Sequence, residues 1–268
     1  IGADDEQAYK IIEKMYAPLK LPIVHVSARS SEMTKYASND FLALKISYIN
    51  EIANFCEIVG ADIEEVARGM GMDRRIGSNF LKAGIGCGGS CFPKDTKALN
   101  FQSDHAGVKL KTVKATIDVN REQRTRLIDK ARRFFPTFRD VRVAIIGLTF
   151  KPGTDDLREA PAKQNIDILL NEGADIIAWD PLGVENFRKR YPNCAINFAK
   201  DIDEALTDAD VCLIMTEWEK IVEYPLDNYK KYMKRPLVFD GRNCYKLSEA
   251  EKHEIFYDSI GRKIVDTL

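Results

Sequence analysis

The hydrophobic pattern of this chain changes once, at Pro136, and that change limits the fold more than any other feature. Over residues 31–135 the apolar positions follow helical spacing and no β-branched run interrupts them, which predicts helices packed only on helices. Beyond Pro136, short β-branched runs alternate with helical stretches. Strands are expected over 141–147, 174–179, 209–216, 237–240 and 254–260, and helices over 159–171, 201–206 and 226–234. Strands separated by helices pair in parallel, so a doubly wound sheet covered on both faces is expected. The fold class is α/β: a central all-helical domain over 31–136, then a Rossmann-like domain over 137–268. Residues 1–30 stand apart. They read as a helix over 4–19, capped by Asp4 with Gln7, with Ala8, Tyr9, Ile11, Ile12, Met15, Tyr16 and Leu19 as its apolar stripe, and a strand over 22–27.

Charge and cysteine usage narrow the function classes. The net charge is −1 and basic residues are spread along the chain, which argues against nucleic acid and anionic membranes as partners. No apolar run approaches the ~20 residues of a membrane helix, and the acidic start Asp4-Asp5-Glu6 is unlike a signal peptide. Six cysteines in 268 residues do not suggest a disulfide scaffold. Cys87 and Cys91 are four apart, but His25, His105 and His253 are all distant in sequence, so no metal is expected. Reduced thiols in the cytoplasm are the expectation.

The stretch from Phe80 to Asp95 carries the densest chemistry. Gly77, Gly84, Gly86, Gly88 and Gly89 give a backbone that turns tightly and admits a ligand. Cys91 follows, with Lys94 and Asp95 within four residues. A thiol attacks as thiolate, a form that a neighbouring ammonium favours. The residues alone leave two readings open, a nucleophilic cysteine and a buried structural one.

The long helix expected over 31–60 is apolar around most of its circumference (Met33, Tyr36, Phe41, Leu42, Leu44, Ile46, Ile49, Ile52, Phe55), which predicts burial. Glu32, Lys35 and Asn39 share one face of it at i, i+3, i+7. A buried lysine is costly unless paired, so Lys35 is expected to face an acid, a ligand or water. Further helices are expected over 62–69, 94–101 and 113–135. The last is charged on one side and carries Ile117, Leu127, Ile128, Ala131 and Phe134 on the other, fitting a subunit contact or a solvated face equally well.

Ligands of doubly wound sheets sit at the carboxyl ends of the strands. There the loop after the first strand departs from G-x-G-x-x-G, with Thr149 and Pro152 at glycine positions, so a dinucleotide fingerprint is absent. A nucleotide could stack on Phe150 and meet Lys151 or Arg242 through its phosphates. Ordinary connections with surface charge explain the same residues as well.

Taken together, Ser31 to Glu51, Gly60 to Asp62, Asp73-Arg-Arg-Ile-Gly77, Gly88-Gly-Ser-Cys-Phe-Pro-Lys-Asp95, Gly147-Leu-Thr-Phe-Lys151, Asp155-Asp-Leu-Arg158, Thr216-Glu-Trp218 and Phe239-Asp-Gly-Arg242 resemble the UDP-glucose/GDP-mannose dehydrogenase family across nearly the whole chain, in order. The resemblance implies three parts, an NAD domain, a central helical domain and a nucleotide-sugar domain. Residues 1–30 match the tail of the first, whose glycine fingerprint is expected upstream, so this piece alone is expected to be inactive. The implied reaction oxidises a sugar C6 alcohol to a carboxylate in two NAD-dependent steps. Cys91 holds the position of the nucleophile, Lys35 and Asn39 those of the oxyanion stabilisers, and Asp95 that of the residue ordering water. Phe80, Leu81, Lys82, Ala83, Gly84 and Gly88 match the loop cradling the substrate, joined by Phe150, Lys151 and Arg242. Arg75 matches a contact from a neighbouring subunit, which implies a homodimer through the central helices. Lys94 and Arg158 match positions facing NAD. Cys87 departs from the family, which usually has an aromatic residue there. Ser90 before the cysteine favours a glucose or mannose substrate over N-acetylated sugars, with the UDP-sugar preferred and GDP-mannose next. The rival expectation is a non-catalytic module, a helical dimerisation block fused to a nucleotide-sensing domain, with an inert Cys91.

Overall fold

The computed structural model describes residues 1–267. Its first half is helical: α1 (Glu6–Tyr16), α2 (Ala28–Val59), α3 (Ile63–Gly71), α4 (Phe92–His105), α5 (Lys111–Gln123) and α6 (Arg126–Ala131). The second half alternates β1 (Arg142–Ile146), α7 (Pro161–Asn171), β2 (Asp175–Trp179), α8 (Gly183–Arg190), β3 (Asn197–Phe198), α9 (Ile202–Leu206), β4 (Val211–Ile214), α10 (Glu219–Val222), α11 (Asp227–Tyr232), β5 (Leu237–Asp240), α12 (Leu247–Lys252) and β6 (Phe256–Ser259). All strands pair in parallel, in the order β3-β2-β1-β4-β5-β6. The order reverses between β1 and β4, and the loops after those strands open a crevice at the carboxyl edge.

Both sheet faces are apolar, as crossover helices require. Val143, Ile145, Val211, Leu213, Leu237 and Phe239 pack on one side with Leu127, Ile128 and Ala131 of α6, Ile166 and Leu169 of α7, and Ile49, Ala53 and Ile85 of the helical half. On the other side Ala144, Ile146, Cys212, Ile214 and Val238 meet Leu206, Ile221 and Tyr229. The two halves therefore share one core. An ionic chain reinforces the seam: Glu57 of α2 pairs with Arg126 and Lys130 at 2.7 Å each, and Lys130 pairs with Asp258 of β6 at 2.9 Å.

Helix α2 departs from expectation. Met33, Phe41, Tyr48, Phe55, Ile58 and Val59 are exposed, while Asn39, Asp40, Ser47 and Asn50 are buried. The reason lies in its neighbours. α2 meets α4 and α5 through a face with small residues such as Ala43 and Ser47, and two of its buried polar residues, Ser47 and Asn50, satisfy backbone groups. Ser47 Oγ donates to the Thr116 carbonyl at 3.0 Å, and Asn50 Oδ1 accepts from Gly84 N at 2.9 Å.

Other expectations shift in detail. The helix expected over 113–135 is divided near Arg124, whose carbonyl is taken by Asn165 Nδ2 at 2.8 Å in place of a helical partner. α4 begins at Phe92, with Pro93 in the first turn, where its missing N–H is harmless. α1 is capped by Asp5, not Asp4, and its stripe residues Ile11, Met15, Tyr16 and Leu19 are exposed. Residues 22–27 form only a bridge between Gly2 and Val26. Helices α8, α10 and α12 escaped the sequence pattern because they are short and largely charged. Among the described residues no helix is long and apolar enough to cross a membrane.

Candidate active site

The glycine-rich segment runs between the helical half and the carboxyl edge of the sheet, and side chains hold its backbone. Gln123 Nε2 donates to the Gly84 carbonyl at 2.7 Å, and Ile85 N donates to the Gly241 carbonyl at 3.0 Å. Asn120 brackets Cys87, accepting from its N–H at 2.7 Å and donating to its carbonyl at 3.1 Å. Gly89 N donates to the Arg158 carbonyl at 2.7 Å. Gly88 and Gly89 have no room for a side chain. A Cβ on Gly88 would collide with the Glu159 carbonyl, and one on Gly89, at φ +84°, would lie 3.0 Å from the Phe150 ring.

This anchoring delivers Cys91 to the N-terminus of α4, as its capping residue. Its side chain is exposed, with Ser90 Oγ 3.8 Å from Sγ; Cys56 and Cys212 are buried and the other three cysteines half-buried. A sealed structural thiol does not describe it. One turn along, Asp95 is buried and fully partnered. Lys94 Nζ donates to Oδ1 at 2.6 Å, Asn39 Nδ2 donates to Oδ2 at 2.6 Å, and Lys35 Nζ lies 3.9 Å from Oδ2. Burial pushes the Asp95 carboxyl up, but Lys94, Asn39 and Lys35 outweigh it and hold it below the usual carboxylate range. Of the four residues expected from sequence to act together, Lys35 and Asn39 thus meet at Asp95, and Cys91 stands one helical turn before it, its carbonyl accepting from Asp95 N at 2.9 Å. Lys35 is exposed, not buried, so its charge stays hydrated and faces an acid.

The expected substrate contacts fall into two groups. Phe80 is partly exposed at φ +65° and meets Phe92 edge-on at 6.0 Å. Leu81 and Ala83 are buried in the core. Lys82 Nζ stands 4.0 Å from Glu217, which Arg242 Nε approaches at 3.5 Å. Arg242 is nearly buried: Nε donates to the Met215 carbonyl at 2.9 Å and Nη1 to the Gly86 carbonyl at 3.1 Å, while Nη2 has no partner. Its turn is set by Asp240, which accepts from Arg242 N at 2.7 Å. Phe150 packs on Gly89, with Lys151 Nζ 5.4 Å from its ring centre. Arg75 stands apart, exposed and paired with Asp73 of its own turn at 2.6 Å.

Lys94 and Arg158 are exposed cations within electrostatic reach of the Cys91 sulfur. Asp95 and Asp156 respectively are the larger influences on them, and a Cys91 thiolate adds to both. Sequence reasoning missed the residues that hold this site, Asn50, Asn120, Gln123, Arg124 and Glu159, and it missed Asp40. Polar residues on one face of α2 (Asn39 and Asn50, eleven apart) and of α5 (Asn120 and Gln123) were the available signal. Asp40 is buried with neither carboxylate oxygen partnered, and burial, then the charge of Asp95, raise its pKa to about 6.

Comparison with known proteins decides the family. Residues 29–122 match the model of the UDP-glucose/GDP-mannose dehydrogenase family, central domain, and residues 144–247 that of the same family's UDP binding domain. The chain belongs to the UDP-glucose/GDP-mannose dehydrogenase family. Among its members, UDP-glucose 6-dehydrogenase YwqF of Bacillus subtilis is 48 % identical over 265 residues, which cover 99 % of this chain and 60 % of that protein. UDP-glucose 6-dehydrogenase of Rhizobium meliloti is 43 % identical over 268 residues, covering 98 % of this chain and 61 % of the relative. The solved UDP-glucose dehydrogenase from Pyrobaculum islandicum superposes with a TM-score of 0.88 at 31 % identity, over 98 % of this chain and 58 % of that one. The chain thus spans about three fifths of these dehydrogenases' length. The resemblance drawn from the cysteine and lysine motifs holds at the level of the family and of its helical-then-Rossmann-like architecture.

Proposed function

We propose that this chain forms the central and nucleotide-sugar-binding parts of an NAD-dependent enzyme that oxidises UDP-glucose at C6 to UDP-glucuronate. The observation that carries the reading is the exposed Cys91 capping α4 beside a carboxylate bound by Asn39 and Lys94 and approached by Lys35. In the first step the C6 alcohol loses a proton and a hydride to give an aldehyde. The Cys91 sulfur then bonds to C6, and the former carbonyl oxygen takes the proton, giving a thiohemiacetal. Loss of a second hydride and that hydroxyl proton leaves a thioester. Water adds, the C–S bond breaks with its electron pair on sulfur, and the carboxylate departs.

Each oxyanion formed at C6 would meet Lys35, whose ammonium is hydrated and free to approach. It would also meet Asn39, whose amide is oriented by donating one of its hydrogens to Asp95. Asp95, held ionised, is placed to order the hydrolytic water. Phe80, Leu81, Lys82, Ala83, Gly84 and Gly88 would line the sugar diphosphate, with the guanidinium of Arg242 behind them and Phe150 and Lys151 at the loop's far wall. A bound nicotinamide supplies the hydride acceptor. Lys94 and Arg158, exposed beside Cys91, would face the anionic phosphates of the dinucleotide, but neither the loop after β1 nor the Gly84–Gly89 run, which follows no strand, makes a strand–G-x-G-x-x-G–helix unit to hold it, so hydride transfer needs a unit outside these residues. The exposed row Met33, Phe41, Tyr48, Phe55 and Val59 on α2 would form a homodimer contact, from which Arg75 could reach the partner's substrate.

The relatives' names favour glucose, and Ser90 fits a glucose or mannose substrate over an N-acetylated one. UDP-glucose and UDP-glucuronate are expected to raise the melting temperature of this chain, GDP-mannose less and NAD little. A shift with GDP-mannose alone would move the substrate to that sugar. No shift with any nucleotide sugar would favour the non-catalytic module.

A further inference from the structure

We propose that Glu159 is a positioning residue that locks the loop carrying Cys91; this rests on reading Cys91 as the nucleophile. Glu159 lies in the connection after β1, on the sheet side of the site, and adopts φ +53°. A non-glycine residue in that region is strained unless its surroundings fix it. The fixing contacts reach the loop at both ends. Lys97 Nζ donates to Glu159 Oε1 at 2.9 Å, and Lys97 sits on α4, the helix that Cys91 caps. Arg124 Nη1 donates to Oε2 at 2.8 Å, while Nη2 of the same guanidinium donates to the Cys87 carbonyl at 3.1 Å. Between these ends the Glu159 carbonyl packs on Gly88, and the adjacent Arg158 carbonyl accepts from Gly89 N at 2.7 Å.

One side chain from the sheet half thus ties the segment before the thiol to the helix after it. Arg124 is mostly shielded from water, so its pair with Glu159 is less screened than a surface ion pair. Burial raises the Glu159 carboxyl, yet Arg124 and Lys97 outweigh it and keep it ionised. The ionic chain Glu57–Lys130–Asp258 also joins the halves, but it engages Gly261 and β6 and leaves the cysteine loop untouched. Joining the halves and fixing the thiol are therefore assigned to different residues. A sulfur that must bond to C6 while the oxygen meets Lys35 and Asn39 tolerates only a small displacement, which a loop of three glycines over 86–89 does not guarantee by itself.

The test compares Glu159→Gln and Glu159→Gly with the parent chain by hydrogen exchange of the 86–92 segment, by the protection UDP-glucose gives Cys91 against iodoacetamide, and by UDP affinity. Glu159→Gln keeps the Cβ and removes only the charge, while Glu159→Gly relieves the φ +53° strain but frees the backbone, so loosening common to both variants is assigned to the missing carboxylate. Exchange at 87–91 is expected to rise by about tenfold or more in both variants while β4 and β5 stay unchanged. Protection by UDP-glucose is expected to fall by about tenfold with UDP affinity kept, and Glu159→Asp is expected to recover part of it. Unchanged exchange at 87–91 overturns the lock, as does an equal loss of UDP affinity, which would make Glu159 a general structural residue. If the parent chain itself gains no protection from UDP-glucose, the proposed function fails while the exchange data still decide the lock. Lys97→Met removes one arm alone and gives the same comparison should the Glu159 variants not fold.

Discussion

The sheet and helix α2 solve opposite problems. In the sheet, β1, β4 and β5 bury apolar side chains on both faces, and each strand reads accordingly as an apolar run, with a charged residue only at the start of β1 (Arg142) and the end of β5 (Asp240). In α2 the arrangement is inverted: Asn39, Asp40, Ser47 and Asn50 face inward and Phe41, Tyr48 and Phe55 outward. The sheet is held by burial of apolar area. The central helix is organised around polar groups that support backbone and a carboxylate near Cys91, with its apolar row left for another surface. Apolar burial is densest at the sheet and polar packing at α2, within one shared core and around a site to which both halves contribute.

The largest effect is expected in the sheet. Phe239 is fully buried against Phe134 and Phe256, and Phe239→Ala should cost about 3–5 kcal/mol by denaturant titration. A loss below about 1 kcal/mol would mean that apolar burial does not hold the sheet.

The next effect has the opposite sign. Asp40 is an unpartnered carboxylate lining an apolar cleft with Met33, Leu44, Leu99 and Val113, and its pKa is raised from 3.8 to about 6. The folded chain therefore binds more protons than the unfolded one between those values, so stability falls as pH rises through that window. Asp40→Leu should stabilise the chain by about 1–3 kcal/mol at pH 8, and the gain should vanish below about pH 4. A pH-independent gain would show that ionisation is not its source.

The smallest effect on stability belongs to the outer row of α2. Phe41→Ala should change monomer stability by less than about 0.5 kcal/mol, since the residue is 62 % exposed, while weakening self-association measured by sedimentation. A core-sized loss of stability would erase the contrast between the two faces.

How much of this was legible depends on which force sets each element. The order of strands and helices, and the carboxyl edge as the ligand side, follow from periodicity and crossover rules, because apolar burial there has no competitor. Cys91, Lys94 and Asp95 were readable because they are neighbours in sequence on one loop and helix start. Burial around α2 is not legible from its apolar content, because an apolar row can face outward as readily as inward. The partners that draw Asn39, Ser47 and Asn50 inside are Asp95, Thr116 and Gly84, 56, 69 and 34 residues away in sequence, and no local pattern records them. The break near Arg124 likewise depends on Asn165, and the role of Glu159 on Lys97 and Arg124, all pairings that exist only once the halves meet.

The most direct measurement is the alkylation rate of every cysteine, resolved by mass spectrometry of the modified peptides, with and without UDP-glucose. The account predicts that Cys91 reacts first and that UDP-glucose, but not NAD, slows it. Labelling of Cys91 at the pace of Cys87, Cys194 and Cys244, indifferent to UDP-glucose, would contradict it.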